Sequence, residues 1–298
     1  MKTRFAPSPT GPLHLGHAWS AWMAHDMARA AGGAFLLRIE DIDRQRSKLE
    51  WEDQLKRDLE WLGIEWDAPP MRQSERMESY RAALGDLWRR GLLYPCTCTR
   101  RDIAAAISAP QEGAGPDGPI YPGTCRHRRP DHAERQMAPP EDAHLRLLMR
   151  EALIGTTETL RNGHGGLPFH EFGGVMGSGT IWTSEADMEA KVGDVVLARK
   201  DFGTSYHLSV VLDDAAQGIT HVVRGADLFE ATPIHVLLQR LLGLPTPDYH
   251  HHALVRDAAG KRLAKRDDAR AISVYREAGW TPEALRARLQ ESLIAPEP

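Results

Sequence analysis

The stretch from Thr3 to Ile39 constrains the fold most, because it reads as strand, tight turn, helix and strand within the length of one parallel crossover. TRFAPSP (3–9) is a short strand ending in a proline-rich turn. HAWSAWMAHDMARAAGG (17–33) carries apolar residues at helical spacing and stops on two glycines, and AFLLRI (34–39) is a continuous apolar run suited to a buried strand. A chain that starts this way is set to build a parallel, dinucleotide-fold-like sheet, since a parallel return needs a long crossover connection.

Further along, Ser47 and Glu50 are spaced as a capping box for LEWEDQLKRDLEWLG (49–63), whose Leu49, Leu55, Leu59 and Leu62 fall largely on one face. Another helix is expected over 75–90. Residues 95–140 differ: rich in Gly, Pro and charge, without apolar periodicity, and holding every cysteine, they read as an inserted subdomain. Regular structure resumes with HLRLLM (144–149), DVVLARKD (194–201), SYHLSVVLDD (205–214), ITHVVRG (219–225) and an amphipathic helix around HVLLQRLLG (235–243). After the basic run KRLAKRDDAR (261–270) about one helix remains, TPEALRARLQESL (281–293), with Thr281 as N-cap and Pro282 at its first position. The chain is therefore α/β, divided into the first half of the main domain (1–94), the insertion (95–140), the remainder of that domain (141–242) and a basic-loop and C-terminal helical region (243–298).

Composition narrows the class. With 298 residues, 42% hydrophobic and 26% charged, the chain matches an average globular protein and not a disordered or fibrous one. No apolar run reaches the roughly 18 residues of a membrane span and no secretory leader is visible, so a cytoplasmic monomer is expected. A formal charge of -4 gives no general attraction for phosphate, so RNA contacts must come from local basic patches such as 126–129 and 261–270. Three cysteines, Cys96, Cys98 and Cys125, argue against a disulfide framework and for metal. Three thiolates need one further donor to close a tetrahedral, structural Zn²⁺ site. His127 and Tyr121 are both placed to supply it.

His14-Leu15-Gly16-His17 stands where the first strand turns into the first helix, the position at which backbone N–H groups and the helix dipole favour an anion. Two imidazoles one turn apart there suit a triphosphate, and Gly16 lets a nucleotide approach the backbone. Helix capping is the plainer reading of the same residues. The longer strings decide between them. RFAPSPTG (4–11) before HLGH, and RIED (38–41) after the second strand, resemble the glutamyl-tRNA synthetases closely.

That resemblance implies a Rossmann-like class I aminoacyl-tRNA synthetase catalytic domain in which His14, Gly16 and His17 bind ATP, accompanied by Mg²⁺. It implies that Arg4 holds a carboxylate of L-glutamate, that Ser8 lies in the same pocket and that Glu40 accepts from the substrate ammonium. In GTSYHL (203–208) and VRGAD (223–227) it assigns Tyr206 to the amino group and Arg224 as a second guanidinium; taken singly, Tyr206 reads as a half-buried strand aromatic. Two arginines fit selection of glutamate over glutamine, because a neutral amide leaves a positive site uncompensated. RLAKR (262–266) matches the second signature loop of the class, with Lys265 on the departing phosphates, although Ala264 stands where serine is usual. For the metal, the resemblance favours Tyr121 over His127.

The whole chain resembles the shortened paralogues of glutamyl-tRNA synthetase, which end after the catalytic domain without an anticodon-binding domain. Their implied acceptor is the queuosine base of tRNA(Asp). A minimal glutamyl-tRNA synthetase charging a tRNA 3′ end, a catalytically silent RNA-binding paralogue and a small-molecule nucleotidyltransferase are the other readings.

Overall fold

The structure is a computed structural model that describes residues 1–106, 118–156, 158–159, 165–256 and 270–294. Strand β1 (Lys2–Phe5), helix α1 (Leu15–Ala30) and strand β2 (Ala34–Ile39) form the expected crossover, β1 and β2 pairing in parallel from Lys2 opposite Ala34 to Phe5 opposite Leu37. The return is tight: a Cβ on Gly33 would lie 1.9 Å from the Met1 carbonyl oxygen, so only glycine lets the backbone pass. Helix α2 (Leu49–Trp61), strand β3 (Met71–Arg72) and helix α3 (Met77–Arg89) follow, β3 adding in parallel to β2.

Strand β4 (Leu93–Cys96) leads into helix α4 (Arg100–Ala106), and β5 (His144–Leu147) returns antiparallel to β4 before helix α5 (Met149–Leu153). Strand β6 (Glu158–Thr159) pairs with β7 (Gly165–Gly174), which forms a hairpin with β8 (Gly177–Thr183). After the single turn α6 (Glu185–Asp187), strand β9 (Val196–Ala198) completes the small sheet β4-β5-β9. Helix α7 (Tyr206–Gln217), strand β10 (His221–Gly225), helix α8 (Thr232–Leu241) and strand β11 (Asp248–His252) make a second parallel crossover, and β11 also pairs in parallel with β7. Helices α9 (Ile272–Glu277) and α10 (Pro282–Ile294) come last among the described elements.

The two parallel groups, β1-β2-β3 and β10-β11-β7, meet at a seam. The Thr220 N–H donates to the Lys2 carbonyl at 3.0 Å and the Lys2 N–H to the Thr220 hydroxyl at 2.8 Å, which draws β10 against β1. One apolar core packs α1 and α2 onto β1 and β2 through Trp22, Phe35, Leu37 and Leu59; a larger one packs α7 and α8 onto β7, β10 and β11 through Leu208, Val222 and Leu237.

Several local expectations need correction. The N-cap of α2 is Lys48 without a side-chain cap bond, and the Ser47 hydroxyl is a buried polar atom with no partner, so the capping box does not form. Leu49 is 77% exposed because the helix begins on it, whereas Leu55, Leu59 and Leu62 are buried. Two acids complete that inner face: Glu52 is held by Lys56 and Arg72, and Asp58 by Gln54 and Arg276. Tyr206 opens a helix and not a strand. Ser205 caps it by accepting from the Leu208 N–H, and α7 is buried around most of its circumference, which erases the polar face by which a helix is recognised. Two helices, not one, follow the basic run.

Candidate active site

The first helix carries its own cap. The His14 Nδ1 accepts from the Gly16 N–H, the His17 Nδ1 accepts from the His14 N–H, both at 3.2 Å, and the two rings stack with centroids 3.7 Å apart. Capping and ligand binding are thus not alternatives. A ring whose Nδ1 accepts keeps its proton on Nε2, so the reciprocal cap fixes both neutral imidazoles as Nε2–H donors at a helix N-terminus. His14, Gly16 and His17 line a cavity of about 460 Å³ together with Arg4, Glu40, Tyr206 and Arg224. Ser8 lines the adjoining cavity of about 970 Å³, which shares His17, Glu40 and Tyr206 with the first.

The arginines reach this place from opposite sides of the seam. Arg4, on β1, gives its Nε to Asp214 Oδ1 at 2.9 Å and its Nη2 to Oδ2 at 3.3 Å. Asp214, on the last turns of α7, also takes Arg38 Nη1 at 2.5 Å, and Arg38 passes on to Glu40 at 3.1 Å. Burial raises the Asp214 carboxyl, but the Arg38 and Arg4 guanidiniums overcome it and hold the group below the usual range. Glu40 goes the other way: burial lifts it despite Arg38. Burial also raises the Tyr206 phenol, which therefore keeps its proton.

Arg224, on β10, is held differently. Its partners are neutral: Nε donates to His251 Nε2 at 3.1 Å, Nη1 to His235 Nδ1 at 3.1 Å, and Nη2 to the Thr232 hydroxyl at 2.7 Å and the Leu228 carbonyl at 3.2 Å. Among the described residues Arg4 is paired with a carboxylate and Arg224 is not. Of the two, Arg224 offers the stronger pull on an incoming anion.

Sequence reasoning missed Asp214, the role of Arg38 as its second partner, and the buried Glu171 and His251 behind Arg224. The two adjacent acids inside the apolar run SVVLDD were a usable signal, since buried acids are seldom without a cation. Lys265 lies outside the described residues, as do Ala264 and the rest of 257–269.

At the far end of the larger cavity, the sulfur atoms of Cys96, Cys98 and Cys125 lie within 4.8 Å of one another. The Tyr121 hydroxyl is 3.4 Å from Cys96 Sγ and 3.5 Å from Cys98 Sγ, and Cys98 and Cys125 are 3.5 Å apart. These separations approach the edge, about 3.8 Å, of a tetrahedron with metal–sulfur bonds of about 2.3 Å. The donor set therefore fits a zinc ion. His127 is exposed and turned to the Thr124 carbonyl. The Arg146 guanidinium covers the Tyr121 ring at 3.8 Å, and Asp194, which takes Tyr94, Arg126 and the Met149 N–H, ties the cluster to the small sheet. Burial raises Cys98 to about 11. Cys125 is brought down to about 7 against its own burial by hydrogen bonds from Tyr121 and Thr97.

A parallel crossover with a histidine-capped helix at its turn fits a class I aminoacyl-tRNA synthetase catalytic domain, and the family described as tRNA synthetases class I (E and Q), catalytic domain, matches residues 1–162 and 178–297. The chain is 63% identical over 289 residues to a glutamyl-Q tRNA(Asp) synthetase of Rhodobacter capsulatus, covering 96% of this chain and 98% of that one. It is 41% identical over 294 residues to one of Symbiobacterium thermophilum, covering 96% and 84%. The chain belongs to the glutamyl-Q tRNA(Asp) synthetase family. A crystal structure of a glutamate tRNA ligase from Elizabethkingia meningosepticum, in complex with its amino acid, matches with a TM-score of 0.72 at 26% identity. That match covers 97% of this chain and 60% of the ligase, so the chain spans about three fifths of the ligase's length.

Proposed function

We propose that the chain activates L-glutamate with ATP, without tRNA, and transfers the glutamyl group to queuosine at the wobble position of tRNA(Asp). The observation that carries the first half is the convergence, on one cavity, of two Nε2–H imidazole donors and two arginines from separate strands. His14 and His17 bind the ATP phosphates as neutral donors, with Lys265 neutralising the departing pyrophosphate and Mg²⁺ accompanying the nucleotide. Arg4 and Arg224 hold the carboxylates of the substrate, Glu40 and Tyr206 its ammonium, with Ser8 beside them. The α-carboxylate oxygen attacks the α-phosphorus, the bond to the bridging oxygen breaks, and pyrophosphate leaves.

The larger cavity runs from this pocket to the cysteine cluster and is edged by Arg46, Arg100 and Arg199. It suits an unpaired nucleotide with flanking phosphates, since bases in single-stranded loops can be splayed into a protein pocket. A queuosine diol hydroxyl attacks the acyl carbon as a ribose hydroxyl would, and AMP departs. Cys96, Cys98, Cys125 and Tyr121 hold Zn²⁺, a closed set that staples residues 95–140 to the catalytic sheet without taking part in the reaction. The protein works as a cytoplasmic monomer; among the described residues no helix is long and apolar enough to cross a membrane.

Glutamate-dependent exchange of pyrophosphate into ATP without tRNA tests the first half. Labelled glutamate offered with tRNA from cells that make or lack queuosine tests the second. Label on the 3′ adenosine of queuosine-free tRNA would replace this reading by a minimal glutamyl-tRNA ligase.

A further inference from the structure

Behind Arg224 lies a buried acid with no part in the chemistry above. Glu171, on β7, and His251, on β11, are both 0% exposed. Glu171 Oε1 accepts the His251 backbone N–H at 2.7 Å, and Oε2 accepts the His251 Nδ1–H, also at 2.7 Å. A Cβ on Gly174 would lie 2.4 Å from Oε1, so the carboxylate is seated where only glycine leaves room. Burial brings His251 down to about 3, so its ring is neutral. A neutral imidazole has one N–H. With that proton on Nδ1, Nε2 is left as the acceptor that the Arg224 Nε–H meets at 3.1 Å and the Thr232 hydroxyl approaches at 3.2 Å.

We infer that Glu171 is a positioning residue for glutamate binding: its carboxylate selects the Nδ1–H tautomer of His251, and that tautomer aims the Arg224 guanidinium at the substrate. The inference rests on the reading that Arg224 holds a substrate carboxylate. The other three acceptors, His235, Thr232 and the Leu228 carbonyl, engage only Nη1 and Nη2. Of the five guanidinium N–H groups these contacts and His251 take four, which leaves one Nη1 N–H to aim into the cavity. Among the described residues only His251 meets Nε, so without that contact the guanidinium is held at Nη1 and Nη2 alone.

The substitution Glu171→Gln tests this with almost no change of shape. The backbone N–H of His251 can only donate, so the new amide must turn its oxygen there and its NH₂ toward Nδ1. His251 is then forced to carry its proton on Nε2, where the Thr232 hydroxyl 3.2 Å away can accept it but the Arg224 Nε–H meets a donor and loses its acceptor. His251→Gln keeps the original polarity, because an amide can give N–H to Glu171 and its oxygen to Arg224.

In the pyrophosphate-exchange assay, Glu171→Gln should raise KM for glutamate by about tenfold or more, the loss expected for a hydrogen bond to a charged group, with kcat and KM for ATP within about threefold. His251→Gln should stay within about threefold on all three. Nitrogen-15 NMR of the histidine rings should show His251 protonated on Nδ1 in the unaltered protein and on Nε2 in Glu171→Gln. An unchanged KM in Glu171→Gln, an equal rise in His251→Gln, or an Nε2–H tautomer in the unaltered protein each overturns the inference. If Glu171→Gln fails to fold, His251→Gln and the unaltered tautomer still decide it. Absence of glutamate-dependent exchange in the unaltered protein would instead remove the proposed function, while the NMR result would stand by itself.

Discussion

Asp214 is the residue whose removal tests the site's electrostatics most directly. It receives two bonds from Arg4 and one from Arg38, and Arg38 is 0% exposed. Asp214→Asn preserves the outline and one acceptor oxygen but turns an NH₂ toward a guanidinium and removes the only carboxylate that Arg4 contacts among the described residues. Each hydrogen bond to a charged group contributes about 1.5–3 kcal/mol, and breaking a buried ion pair by deleting one partner costs about 3–5 kcal/mol. Glu40 remains to compensate Arg38, so the lower end applies: we expect a loss of about 3 kcal/mol, or roughly 5 °C in melting temperature for a chain of this size. Arg4 loses its anchor at the same time, so KM for glutamate should rise about tenfold while KM for ATP stays near its original value. Urea denaturation followed by two spectroscopic probes, together with pyrophosphate exchange, measures both. A loss below about 1 kcal/mol with an unchanged KM would show that Asp214 neither supports the fold nor holds Arg4, and the reasoning would fail.

Arg4→Ala should raise KM for glutamate with a smaller effect on kcat, whereas Lys265→Ala should lower kcat for adenylate formation; the reverse pattern in steady-state exchange would mean that the two roles are interchanged. Chelation should loosen the region around Cys96, Cys98 and Cys125 in hydrogen exchange before the parallel sheet responds, and Tyr121→Phe should lower zinc retention where His127→Ala does not. Zinc-free protein isolated without denaturation would dismiss the site. Burial holds His251 down to about 3 and also lowers His235 and His252, so below about pH 6.5 the unfolded chain binds protons that the folded chain refuses. Stability should therefore fall as pH drops toward about 5, by up to about 1.4 kcal/mol per unit for each ring, partly offset by Glu40 and Glu171, whose carboxyls burial raises. A flat set of urea midpoints over that range would contradict it.

The first crossover could be read from the sequence because its signals agree: a buried apolar run for β2, helical spacing for α1 and glycines at the turn between them. Helix α7 resisted reading because burial on most sides gives Val210, Val211 and Leu212 the look of a strand, while its helical signals, Ser205 as N-cap and Gly218 at the C-terminal stop, are common residues in ordinary places. The capping box at Ser47 failed because spacing records that a bond is allowed and not that the chain takes it. In the site, the sequence strings named Arg4, Glu40, Tyr206 and Arg224 but not what holds them. Asp214 follows Arg4 by 210 positions and Glu171 precedes His251 by 80, and partners that distant leave no local pattern.

With Arg4 and Arg224 holding the substrate as proposed, the seam between β1 and β10 gives glutamate a mechanical part to play. Arg4 stands on one bank and Arg224 on the other, in strands joined by the bonds between Lys2 and Thr220. A small dicarboxylate gripped from both banks is a removable stitch, and its binding free energy is added to the cohesion of the two halves: about 2.7 kcal/mol at a hundred times the dissociation constant. On that reading, saturating glutamate makes the two halves harder to part.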